Sequence, residues 1–96
     1  MEANAVRTVA LTDDKTTTKE AVLRVIPLGT PIADAQSIME ASGCDCTKGS
    51  DEEGDYLYCY KEESIKLTYG RIWKLFLYYE NDVVSDVSVT TGLLGL

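Results

Sequence analysis

Ninety-six residues hold one domain and leave no room for two. Sixteen acidic against nine basic side chains give a formal charge of -7, and apolar residues make up 45% of the chain. There is no histidine, which excludes Ser-His-Asp and Cys-His nucleophile systems and imidazole metal ligands. The negative balance argues against nucleic acid, whose phosphates need clustered Lys and Arg.

A chain of this length buries roughly 60–68% of its unfolded surface, enough for one modest core without an obligatory staple. No apolar run reaches the ~18 residues of a membrane span. The opening segment MEANAVRTVALTDDKTTT lacks the basic region and apolar stretch of a signal peptide. Two locations follow: the cytoplasm, or the periplasm or cell envelope if a leader has been removed and Met1 added.

Residues 1–17 read as a flexible N-terminal segment, in which Val6, Val9 and Leu11 form only a weak strand pattern. Thr17 with Glu20 has capping-box spacing. It opens a short helix over residues 19–26, with Val22, Leu23, Val25 and Ile26 at helical spacing, and Pro27 and Gly29 end it. Thr30 as N-cap and Pro31 in the first turn predict a second helix over 31–42. Its stripe is Ile32, Ala35, Ile38 and Met39, and Gly43 is its terminator.

The period then changes to two. Residues 44–47 (CDCT) read as a short strand, 48–55 (KGSDEEGD) as a polar acidic loop, and 56–61 (YLYCYK) as a second strand. Residues 61–70 fit either an irregular loop or a distortion between strands. A closing hairpin follows. Trp73, Leu75, Leu77 and Tyr79 share one face of its first strand. A three-residue loop at 80–82 opposes them to Val89, Val87, Ser85 and Val83, whereas a two-residue turn would place Asp86 opposite Leu77. The other face carries Lys74, Phe76 and Tyr78 with Val84, Asp86 and Ser88. Residues 18–96 therefore form an α+β domain, two N-terminal helices packed on one face of a three- to four-stranded antiparallel sheet.

The stretch Ile26-Pro27-Leu28-Gly29-Thr30-Pro31, leading into a helix that ends at Ala41-Ser42-Gly43, resembles the helix pair of the SmpA/OmlA (BamE) family of small envelope lipoproteins. The hairpin around Trp73, Asp86-Val87-Ser88-Val89 and Gly92 is similar to that family's closing strands. The same layout occurs in repeats of the beta-lactamase inhibitor protein. The resemblance spans residues 20–92 and implies a non-enzymatic interaction scaffold, often held at the outer membrane by an N-terminal lipid. This chain lacks the lipobox cysteine, and its strand cysteines are not a family feature.

Three constellations carry chemistry. If 44–47 and 56–60 pair antiparallel, Cys46 reaches Cys59 as a disulfide, and Cys44 stays a small buried apolar group. Three reduced structural thiols fit the same sequence. Zinc needs a fourth ligand that these thiols lack, and the neighbouring acids oppose a reactive thiolate. Asp51, Glu52, Glu53 and Asp55 miss the calcium-loop spacing and suit either a solvated loop or a docking patch for a basic partner. Tyr56, Tyr58 and Tyr60, with Phe76 and Tyr78 on a neighbouring strand, suit an exposed binding platform if they face away from the helices. They also suit packing beneath residues 61–70 or the N-terminal arm. Trp73 reads as core, its indole N–H directed to a helix-loop carbonyl near Gly29.

The expected function is a non-catalytic protein-interaction module without a cofactor. The alternatives are a small-ligand binder or small enzyme with a Tyr/carboxylate cleft between helices and sheet, and a proteinaceous enzyme inhibitor.

Overall fold

The computed structural model describes residues 7–95. Two helices, α1 (Lys15–Val25) and α2 (Ile32–Ala41), precede four strands, β1 (Asp45–Asp51), β2 (Gly54–Lys66), β3 (Tyr69–Glu80) and β4 (Val83–Gly95). The strands form one antiparallel meander in the order β1-β2-β3-β4. The fold is α+β, with the helices before the sheet.

Asp14 starts α1. Its carboxylate accepts the backbone N–H and the hydroxyl of Thr17, both at 2.8 Å. These bonds hold the Asp14 carboxyl below its usual range. The cap thus lies three residues before the expected Thr17–Glu20 box, and the helix begins at Lys15 rather than 19. Residues 9–12, expected to be loose, pack on the domain. Val9 is buried and its N–H donates to Ser42 Oγ at 2.8 Å. Trp73 Nε1 donates to Thr12 O at 2.7 Å, so the indole is held by the N-terminal arm and not by the loop at Gly29. Val6 lies outside the described residues.

The start of α2 is held by tertiary pairing. Thr30 does not cap it; the Thr30 hydroxyl donates back to Pro27 O at 2.6 Å. Residues 29–32 run beside the start of β4 instead. Val84 N donates to Thr30 O, Gly29 N to Val84 O and Ile32 N to Asp82 O, each at 2.8 Å. The last of these satisfies an N–H that a helix start leaves without an intrahelical partner. At the other end Gly43 takes φ +94°, the left-handed conformation of a helix terminator. Lys61 Nζ donates to Ser42 O at 3.1 Å, a cation at the negative helix end.

The core lies between the helices and one sheet face. Val22, Ile26, Ala35 and Met39 meet Leu57, Cys59, Leu75 and Leu77, and all eight have zero exposure. Val84, Val87 and Val89 complete the β4 side, over which α1 packs.

The strands are longer than the sequence pattern suggests. β1 continues through Lys48, Gly49 and Ser50, which pair with Leu57, Tyr56 and Asp55, so the expected loop over 48–55 reduces to a turn at Glu52–Glu53. Residues 61–66 continue β2 and pair with β3 as far as Lys66 and Tyr69, across an irregularity near Ser64. This end of the hairpin extends past the helices and is exposed.

The β3–β4 hairpin differs from the expected register. Its turn has two residues, Asn81 (φ 54°) and Asp82 (φ 65°), as in a type I′ turn. Glu80 opposes Val83 and Tyr79 opposes Val84; then Tyr78 opposes Asp86. Ser85 is the extra residue of a β-bulge. Beyond it Leu77 meets Val87, Leu75 meets Val89 and Trp73 meets Thr91. The bulge keeps Asp86 off the core, the conflict that makes a two-residue turn look wrong, and it brings Val84 into the core in place of Val83 and Ser85. Because left-handed backbone costs a non-glycine residue about 1–2 kcal/mol, Asp82→Gly is expected to raise stability by roughly 0.5–1 kcal/mol after its larger unfolded-state entropy is subtracted. Urea denaturation checks this; a loss of stability would show that the Asp82 side chain holds the turn.

An aromatic open face on the sheet

The sheet face away from the helices is built in rows across the strands. Gly49, Tyr56, Tyr78 and Asp86 form the first row, Thr47, Tyr58, Phe76 and Ser88 the second, and Asp45, Tyr60, Lys74 and Thr90 the third. The two-residue period of β2 and β3 places all five expected aromatic residues here. Among the described residues nothing packs over them: 61–66 continue the hairpin, and residues 9–12 of the arm lie on the helix side with Trp73.

The five rings form one contiguous layer. Phe76 lies 5.1 Å from Tyr56 with the rings at 74°, and 4.9 Å from Tyr58 at 42°. Tyr56 and Tyr78 meet edge-on at 5.8 Å, and Tyr58 and Tyr60 are 6.5 Å apart. Such pairs contribute about 0.5–1.5 kcal/mol each beyond their area. The rings are half-buried by one another. Gly49 makes room for them: a Cβ there would stand 2.8 Å from Cζ and Oη of Tyr56, whose ring lies across the glycine backbone.

Polar groups fix the phenol tips. Tyr78 Oη donates to Asp51 Oδ2 at 3.1 Å, and Tyr60 Oη donates to Glu62 Oε1 at 3.1 Å. Both tyrosine pKa values are raised, first by desolvation and then by the carboxylate that holds each proton. Asp51 also accepts Glu53 N at 2.7 Å, closing the acidic turn. Asp51, Glu52, Glu53 and Asp55 are all exposed, at the end of the sheet beside Tyr56 and Tyr78. The expected acidic patch and aromatic platform therefore adjoin, through Asp51. A shallow groove of about 310 Å³ runs over the face, lined by Thr47, Lys48, Tyr56, Tyr58, Lys74 and Phe76. Thr47, Lys48, Lys74 and Gly49 join the site without being marked by any motif; their only signals in the sequence are the alternation of Lys74 with Phe76 and a glycine inside a strand.

Among the described residues the helix–sheet interface is filled by the eight core side chains, and the depression between α1 and β4, lined by Lys15, Thr16, Lys19 and residues 86–89, holds no tyrosine. Tyrosines and carboxylates meet instead at a depression of about 330 Å³ by the turns, where Glu53, Asp55 and Glu80 surround Tyr78 and Tyr79.

The cysteines lie on the helix side. Cys46 and Cys59 are directly opposed, and their sulfurs are 2.7 Å apart as free thiols. Cys44 is buried, with its pKa pushed up to about 11 by desolvation. Among the described residues no cluster of three or more Cys, Asp or Glu is arranged to hold a metal ion, and no helix is long and apolar enough to cross a membrane. No family model, curated protein or solved structure matches this chain.

Proposed function

We propose that the protein is a non-catalytic interaction module that docks a partner protein on the open face of its sheet. The observation that carries this reading is the layer of five aromatic rings on the face that the described helices leave uncovered. Tyrosine and phenylalanine give large contact area at low entropic cost, and the phenol tips tolerate a wet rim. Four acids in residues 51–55 border the layer and the chain carries -7 overall, so the partner surface that fits is apolar at its centre and basic at one rim. The resemblance to the SmpA/OmlA scaffold points the same way and makes the cell envelope the first compartment to search.

The test compares capture from envelope and soluble fractions by the wild-type chain and by a Tyr58→Ser/Phe76→Ser variant. A partner held by the open face is expected to lose about 2 kcal/mol or more, roughly 30-fold in affinity. Replacing Glu52 and Glu53 with glutamine is expected to slow association and flatten its salt dependence. A partner retained equally by both proteins, or none enriched from either fraction, would remove the reading.

A further inference from the structure

We propose that Cys46 and Cys59 are a reversible thiol–disulfide site, closed by exchange with a low-molecular-weight disulfide. The proposal is independent of the docking face.

Geometry carries it. Asp51 and Gly54 close the β1–β2 turn, and hydrogen-bonded and non-hydrogen-bonded pairs alternate from there. Five steps along, Cys46 and Cys59 form a non-hydrogen-bonded pair, the kind with Cα atoms about 4.5 Å apart, within the range a disulfide spans. Their sulfurs already face each other at 2.7 Å. Closure therefore needs no change of register or strand direction. Cys44 precedes β1 and opposes no β2 residue; its N–H donates to Met39 O at the end of α2.

The two thiols are unequal in access. Cys46 is half-buried on the edge strand, whereas Cys59 has zero exposure on an inner strand. Either sulfur can donate across the 2.7 Å contact; with the proton on Cys59, the hydrogen bond favours a Cys46 thiolate and lowers the Cys46 pKa despite burial and the nearby Glu40 and Asp45. The same bond, with burial, raises that of Cys59. The acids still oppose a thiolate at Cys46, and the direct hydrogen bond from its partner acts against them.

These differences set an order of events. The Cys46 thiolate attacks one sulfur of the external disulfide RSSR, forms Cys46–S–SR and expels RS⁻. Cys59 then gives up its proton and attacks the Cys46 sulfur, and the second RS⁻ leaves. The protein thiols lose two electrons and two protons; the external disulfide gains both as two RSH. The bond ties the edge strand to its neighbour beside Thr47 and Tyr58, which line the groove.

The experiment treats the folded protein with oxidised glutathione. Intact mass is expected to fall by two hydrogens with no lasting glutathione adduct. Peptide mapping should join Cys46 to Cys59, alkylation should find Cys44 as the remaining thiol, and dithiothreitol should reverse the change. Cys44→Ser should still close and Cys46→Ala should not. In guanidinium the preference for Cys46–Cys59 should disappear, since the sheet creates it. Three alkylatable thiols after treatment, a stable mixed disulfide on Cys46, or a bond through Cys44 would overturn the proposal. The map on the wild-type chain decides the matter even if a variant fails to fold.

Discussion

Leu75→Ala is expected to lower the unfolding free energy by about 2–5 kcal/mol, whereas Phe76→Ala, the next residue, should cost only about 1–2 kcal/mol. The contrast comes from the sheet's two faces. Leu75 has zero exposure, stands between Cys59 and Val89 in the core layer, and lies in the sheet centre where truncation leaves a cavity. A domain of this size holds about 5–15 kcal/mol in total, so the variant forfeits a large fraction of its stability. Phe76 is half-buried by Tyr56, Tyr58 and Tyr78, and its loss removes ring contacts without opening a closed core. Urea titration reads both: with a slope of about 1–3 kcal/mol/M, Leu75→Ala should shift the midpoint by about 1 M or more. Capture of a partner should order the variants oppositely, with folded Leu75→Ala binding as the wild-type chain does and Phe76→Ala binding more weakly. Equal destabilisation by the two substitutions would mean that the aromatic layer is a second core and not a docking face.

What could be read in advance follows where each element meets solvent. The stripe of α2 and the alternation of Trp73, Leu75 and Leu77 were legible because each lies on a boundary between core and water. Beyond Thr47 the sequence of β1 carries no strand signal, because it is an edge strand whose later residues, Lys48 and Ser50, have no buried face to mark a period. The same holds for residues 61–66 of β2, where the hairpin outruns the helices and the burial pattern becomes exposed throughout. Local pattern points to a Thr30 cap at the start of α2, but the first N–H is satisfied by Asp82, fifty residues on, which no local pattern reports. In the aromatic layer the tyrosine comb was plain from spacing alone. The contribution of Gly49 was not, since it depends on which residue lies across from it.

Deleting Ser85 is expected to cost no more than about 1–1.5 kcal/mol, while deleting Ser88, three residues further along the same strand, should cost about 2.5–6 kcal/mol. Ser85 is the unpaired bulge residue, and the two faces of β4 are already consistent on either side of it: Val84 faces the core opposite Tyr79, and Asp86 faces outward opposite Tyr78. Removing the bulge leaves both pairings in place and only relaxes the local twist. Removing Ser88 offers two outcomes. If the pairs from Val89 onward are kept, Val87 moves to the open face and Asp86 takes its place in the core opposite Leu77. If the pairs up to Val87 are kept, Val89 moves out opposite Phe76 and Thr90 turns in opposite Leu75. The second is the cheaper, because a hydroxyl costs less to bury than a carboxylate. It still forfeits a buried valine, about 1.5–3 kcal/mol, and buries an unpaired hydroxyl for about 1–3 kcal/mol more. Chemical denaturation of the two deletion variants measures the difference. Equal costs would show that the bulge is required to aim β4 at residues 29–32, where Val84 and Thr30 are hydrogen-bonded. A tolerated Ser85 deletion, beside a damaging one at Ser88, would show instead that the bulge is slack that reconciles a tight turn with the core register.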